Sequence, residues 1–399
     1  RFNNVVVRNP QHAQSLLKID RLAISINLFQ SVLNWKLLPG HLFISGTQLD
    51  IYQNQHGQLN VKGMVDLHGK QKHVNLGYLK DIVVSMLTQS EISLQHINVN
   101  FHTADGRLVP IKNLRLKVAN GMLHHQMAGV ALLAQKVPTT FRFVINLKSA
   151  DITKAHFSAD VYFKANNLLI KQWADNRYLR HYFKALNLTH GVANVEAWLK
   201  WRDAKLSALQ SEIKTKNIGL HLAAKHKNIV IHRFNANVYW QRRQDGWALS
   251  ADHINLRMRG KTWPEHSFGM RVFQAGKAGR ERMLFTSQFV RLRDIRDLAA
   301  AVGYWPQSAQ KIVAKLKPHG DLYNPGLVVA WSAGKPIFYR VRAEFNNLGF
   351  LPWGKLPGAT ALTGFIDATP AGGKLKLQSR RTTLKISTLF SQPLFFEQL

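Results

Sequence analysis

Apolar side chains recur at every second position, run after run, through nearly the whole chain. Tyr339, Val341, Ala343 and Phe345 alternate with Arg340, Arg342 and Glu344. A turn-rich segment with Pro352, Gly354, Pro357 and Gly358 follows. Then Leu362, Gly364, Ile366 and Ala368 alternate with Thr363, Phe365 and Asp367. Leu375 and Leu377 alternate with Lys374 and Lys376, and Leu384 and Ile386 repeat the pattern. Period two with one greasy side and one wet side marks an antiparallel sheet whose faces meet different surroundings. About twenty such runs, set roughly 8–12 residues apart, make a mainly β fold the expectation.

The same grammar is written upstream. Phe141, Phe143, Ile145 and Leu147 form one run, Phe157, Val161 and Phe163 another, and Ala193, Val195, Ala197, Leu199 and Trp201 a third. Three stretches switch to helical spacing. Leu79, Ile82, Val83, Met86 and Leu87 predict a helix near 78–88. Leu169, Trp173, Leu179, Tyr182 and Phe183 predict one near 168–184. Leu292, Ile295, Leu298, Ala299 and Val302, stopped by Gly303, predict one near 291–303. The chain divides in this reading into residues 1–190, with the first two helices, and residues 191–399, with the third.

A sheet with one apolar face must bury that face. A sandwich covers it with a second sheet, a barrel closes on itself, and a curled trough leaves it to be covered by something else. Twisted open sheets rarely exceed about ten strands without curling or splitting. If acyl chains supply the cover, each buried methylene is worth about 0.8 kcal/mol, so a sixteen-carbon tail gains roughly 13 kcal/mol. A bilayer offers the tail the same, so a trough need only match it for lipid to enter and leave. The residues alone leave trough and sealed sandwich about equally open, with the helices as plugs, linings or caps.

Charge narrows the surroundings. Fifty-four Lys and Arg against 22 acidic residues give +32, which favours anionic partners: nucleic acid, lipid head groups or lipopolysaccharide. Trp240-Gln241-Arg242-Arg243 has the composition of a single-strand clamp, but it also fits an outward hairpin end, and no recognised nucleic-acid module accompanies it. There is no cysteine, hence no disulfide and no thiolate metal site. The eighteen histidines, among them His124, His125, His221 and His226, lack H-E-x-x-H spacing and nearby carboxylates. No G-x-S-x-G, P-loop or G-x-G-x-x-G is present. No catalytic residue, metal or cofactor is expected. The chain opens and stops mid-pattern, which reads as a piece of a longer polypeptide.

The run from Leu22 to Gly63, with LPG, an alternating strand, G-T-x-L-x-I and a closing G-x-L-x-V-x-G, resembles the AsmA-like proteins of Gram-negative bacteria. Leu284–Ala300, Leu316–Pro325 and above all Phe338–Leu377 resemble the YhdP family among them. The resemblance implies a long curled antiparallel sheet forming an open hydrophobic groove. It implies a non-enzymatic, monomeric bridge that carries phospholipid across the periplasm between the inner and outer membranes, its parent chain anchored in the inner membrane. The expected lining is Phe141, Phe143, Ile145, Leu147, Phe157, Val161, Phe163, Ala193, Val195, Ala197, Leu199, Trp201, Tyr339, Val341, Phe345, Leu375, Leu377, Leu384 and Ile386, in contact with acyl chains and not with nucleic acid. Two rivals stand beside it: an envelope assembly factor with a closed β-sandwich core, and a charge-driven nucleic-acid binder.

Overall fold

A computed structural model describes residues 1–9, 12–26, 28, 31–32, 35, 39–54, 59–61, 91–104, 106, 108–121, 123–134, 137–149, 157–175, 188–222, 227–274, 280–302, 307–332, 335–354, 356–386 and 390–399. The chain is mainly β, with a few short helices. It forms two compact units, residues 1–168 with 194–207 and residues 169–193 with 208–399.

The first unit starts with β1 (Phe2–Asn9), β2 (His12–Ile26), β3 (Pro39–Gln53) and β4 (Leu59–Val61). It continues with β5 (Glu91–His102), β6 (Leu108–Asn120), β7 (His124–Leu133), β8 (Thr139–Lys148) and β9 (Ser158–Leu169). Neighbours in sequence pair as neighbours in space, antiparallel with one exception. β3 and β5 run parallel, His41 opposite Glu91 through Tyr52 opposite His102. A parallel pair needs a crossover longer than a hairpin, and residues 54–90 are long enough to supply it. The helix expected near 78–88 lies outside the described residues.

A short helix, α1 (Ile170–Ala174), and β10 (Leu188–Arg202) follow. Leu168 and Leu169, expected to start a helix, instead end β9. Residues 176–187 lie outside the description.

The second unit holds β11 (Lys205–Leu222, from Ala208 onward), β12 (Lys227–Arg243), β13 (Gly246–Met258), β14 (Lys261–Thr262) and β15 (His266–Phe273). Next come β16 (Arg280–Ser287), β17 (Phe289–Arg291), α2 (Leu292–Val302) and α3 (Gln307–Leu316). The last strands are β18 (His319–Ser332), β19 (Lys335–Phe350), β20 (Gly358–Thr369), β21 (Gly372–Leu377), β22 (Arg380–Lys385) and β23 (Leu394–Gln398). Antiparallel pairing runs β11 to β13, then β15, β16, β18, β19, β20, β22 and β23. α2 occupies the interval where the spacing of Leu292, Ile295 and Leu298 predicts a helix. α3 was not anticipated, although Ile312, Val313 and Leu316 give it a helical stripe.

Many strands carry a residue in the left-handed region. Gly46, His96 and Asn113 do so in the first unit at φ +66°, +52° and +51°, and His253 and Asn347 in the second at +49° and +52°. Asn and His tolerate this region better than most residues. Four of the five sit at register shifts of their ladders. Each such residue changes the phase of the alternation. In β5 the apolar set is Ile92 and Leu94 before His96, then Ile97 and Val99 after it. In β13 it is Leu249 and Ala251 before His253, then Ile254, Leu256 and Met258 after it. Bulges bend a strand and raise its twist. Side chains satisfy the freed amides: Asn113 N–H donates to Asn98 Oδ1 at 3.1 Å, and Asn347 N–H to Thr363 Oγ1 at 3.5 Å.

Candidate functional site: the apolar faces

Residues directly opposite in a ladder share a face, so register identifies each face. In the first unit Phe2, Leu22, Ile44, Leu94, Leu116, Gly129, Phe143 and Phe163 are successive partners across eight strands. A second rib beside it runs Ile24, Leu42, Ile92, Val118, Met127, Ile145 and Val161. At strand spacings near 4.8 Å, seven gaps make the first rib about 34 Å wide. Ile92 and Val118 are sealed beneath Leu42, Leu94, Leu116, Met127 and Leu147, and these upper side chains are half-buried. Phe143 lies across Gly129 and opposite Phe163, whose ring is 5.9 Å from that of Phe141.

In the second unit Leu209, Trp240, Leu249, Met270, Phe285, Leu327, Val341 and Ala368 form a rib across eight strands, every one of them half-buried. The opposite face at the adjoining position reads Gln210, Tyr239, Ser250, Gly269, Thr286, Gly326, Arg342, Asp367 and Lys374. One wall is hydrocarbon and the other is hydroxyl, amide and charge.

Beyond the His253 bulge the apolar face is covered. Leu220, Ile229, Ile231, Leu256, Met258, Trp263 and Phe289 form a buried cluster, and Ile295 and Leu298 of α2 pack on it. Two buried aspartates fasten this helix. Asp294 accepts Trp263 Nε1–H at 2.8 Å, and Asp297 pairs with Arg259 and, at 3.4 Å, with Arg296. His266 lies against the Trp263 and Phe289 rings; burial pushes its imidazole below the ordinary value, and it donates Nδ1–H to Pro264 O at 2.9 Å.

The expected lining divides accordingly. Phe143 and Ile145 lie in the first unit's ribs opposite Phe163 and Val161; Phe141 and Leu147 share their face, half-buried. Phe157 sits just before β9, half-buried, its carbonyl accepting Ala204 N–H at 3.0 Å. Glu196 accepts Tyr162 O–H at 2.8 Å and Lys164 Nζ at 2.7 Å, and the Trp198 ring lies 5.5 Å from that of Tyr162, tilted by 52°. These contacts fix the polar side of β10, so Val195, Ala197, Leu199 and Trp201 share the side of Val161 and Phe163. Burial, then the Glu196 carboxylate, push the Tyr162 phenol up.

Ala193 is buried within the second unit. Val341 belongs to that unit's rib, and Tyr339, opposite Val329, stands 46% exposed. Phe345 is buried with Ala359 and Leu362, and Leu377 and Leu384 pack on that small cluster. Leu375, opposite Ile366, is 61% exposed, and Ile386, half-buried, follows β22. Leu209, Phe285, Leu327 and Ala368 were absent from the expected lining. Ladder register reveals them; alternation alone could not align their strands.

The polar face carries the ion pairs: Lys164 with Glu196, Arg202 with Asp160 at 3.2 Å, and Arg340 with Asp367 at 2.7 Å. The Arg340 guanidinium beside Asp367 holds its carboxyl below the usual range. Trp240 to Arg243 lead into the β12–β13 hairpin, Arg243 opposite Gly246; Trp240 turns to the apolar rib, and Arg242 and Arg243 are exposed at the end. His125 meets Asn120 at 3.0 Å and His221 meets Asn228 at 2.8 Å, while His226 lies outside the described residues. Among the described residues no group of three His, Asp or Glu is placed to hold a metal ion. Among them no helix is long and apolar enough to cross a membrane.

The YhdP protein family model matches residues 1–399. The chain is 18% identical over 333 residues to the intermembrane phospholipid transporter YhdP of Escherichia coli (strain K12). That alignment covers 82% of this chain and 25% of the transporter, so the chain spans about a quarter of its relative's length. No solved structure matches. With a family match over its full length, the chain belongs to the YhdP protein family.

Proposed function

We propose that this chain is a segment of a lipid conduit whose apolar faces hold phospholipid acyl chains, without chemical conversion, on a path between the two membranes of the cell envelope. The carrying observation is the eight-strand apolar rib in each unit, left half-exposed on one face and opposed by a charged face on the other. Monomeric soluble proteins rarely leave contiguous apolar patches larger than a few hundred Å² in water. Tails on such a wall gain about 0.8 kcal/mol per methylene, as they do in a bilayer, so they slide without a deep trap. Aliphatic and aromatic side chains solvate tails without discriminating them, and the Lys and Arg of the polar face stay with water. Family membership and the transporter relative support a lipid cargo. On this reading the chain works in the periplasm as part of an inner-membrane-anchored parent.

The test is site-specific photo-crosslinking. A diazirine side chain at Ile145 or Val195 is expected to capture phospholipid, identified by mass spectrometry of the adduct. The same probe at Arg142, on the polar face, is expected to capture little. Equal capture at both faces, or none at Ile145 and Val195, refutes the conduit.

A further inference from the structure

The second unit contains a basic cleft that the apolar wall does not explain. It has a volume of about 650 Å³ and is lined by Lys261, Arg291, Arg293, Arg296, Lys317 and His319, with Asp321 as its one carboxylate. Five permanent cations facing one anion repel one another unless a counter-charge sits among them. Lys261, Arg293 and Lys317 are exposed and have no acidic partner among the described residues. Arg291 is held in place: Nε and Nη2 donate to Asp321 at 2.9 and 3.3 Å, and its guanidinium lies 5.3 Å from the Phe289 ring centre. Its Nη1 is buried and has no hydrogen-bond partner. A buried donor left unmade costs free energy comparable to a lost hydrogen bond, and Arg291 lines the cleft, so an oxyanion that engages its guanidinium would relieve that cost. Arg296 reaches Asp297 and Pro318 O only at 3.4 and 3.5 Å.

We propose that this cleft binds a phosphate-class oxyanion, with the Arg291 guanidinium as the fixed charge and Lys261, Arg293 and Lys317 as mobile counter-charges. A planar guanidinium suits phosphate oxygens, and a lysine adds a point charge. Phe350 and the exposed Leu351 border the same cleft, which suits a phosphate ester attached to a greasy tail. The inference deepens the conduit reading by giving the cargo's head group a station, and it rests on that reading only for the tail.

Two probes are titrated into the full 399-residue chain by calorimetry: inorganic phosphate, and a short-chain phosphatidate below its micelle concentration. Lys261→Gln combined with Arg293→Gln is expected to weaken binding about tenfold. Lys374→Gln combined with Lys376→Gln removes the same charge from exposed strand β21 and is expected to change nothing. Binding of both probes identifies a free-phosphate site, and binding of phosphatidate alone a head-group site; either supports the proposal. Failure of both probes, equal weakening in both double variants, or displacement by a single-stranded oligonucleotide at lower concentration than either probe overturns it. Crosslinked lipid at Ile145 with neither probe bound sinks the cleft alone; binding of a probe with no crosslinked lipid sinks the conduit alone.

Discussion

Gly129 offers a direct measure of whether the first unit's apolar face is open. A Cβ built on it falls 2.5 Å from Cζ and 2.6 Å from Cε1 of Phe143, its partner across the ladder. Carbon atoms rest at about 3.5–4.0 Å, so Gly129→Ala must push the ring away by roughly 1 Å. In a sealed core such overpacking costs about 1–3 kcal/mol. On an open face the ring swings outward and forfeits only its contact with the strand. Against that loss, Ala is better than Gly inside a strand by about 0.5–1 kcal/mol. The expected net change is therefore within about 1 kcal/mol of zero. Urea unfolding with the slope held constant reads it. Crosslinking at Ile145 should fall at the same time, because the displaced ring stands where a tail would lie. A loss above about 2 kcal/mol would show that Phe143 has nowhere to go and that the face is closed.

Asp297→Ala removes the buried carboxylate that Arg259 and Arg296 reach from half-exposed positions and is expected to cost about 1–3 kcal/mol of second-unit stability, read by thermal or urea unfolding. Asp175→Ala, breaking the exposed Lys171–Asp175 pair, is expected to cost under about 0.5 kcal/mol; similar losses would deny α2 its anchoring role. Acidification tests His266. Its folded value lies below its unfolded one, so the unfolded chain takes the proton first, and its stabilising contribution, complete above about 6.5, declines as pH falls toward the folded value. His125, lowered by burial, acts in the same sense, while exposed His253, raised by its bond to Glu265, acts in the opposite one. His266→Gln should flatten the pH slope of the second unit's unfolding midpoint between pH 7 and 5; an unchanged slope refutes the assignment.

Much of this architecture was legible because alternation is a one-dimensional trace of a two-sided sheet. Tyr339 to Phe345 and Phe141 to Leu147 announced their faces without any coordinate. Strand length was hidden. Ile92 and Leu94 read as one strand and Ile97 to Phe101 as the next, because the phase changes between them. His96 is the cause: one residue in the left-handed region keeps both sets on one face of a single strand. The parallel pairing of β3 and β5 was equally invisible, since period two is the same in either direction. The apolar faces were half legible. Which residues share a face along one strand follows from alternation, but whether Phe345 stays open or is sealed under Leu348 and Leu399 depends on packing between distant segments. The basic cleft left no local signature, because Lys261, Arg291 and Lys317 meet only through the fold.

The phase changes carry a hereditary consequence. At most positions on these walls one hydrocarbon can replace another, so spelling is free to drift. Replacing His96 or Asn347 by a β-branched residue that cannot hold the left-handed conformation is another matter. Everything on the far arm of that strand would turn inside out, charges into oil and oil into water, while the near arm stayed as it was.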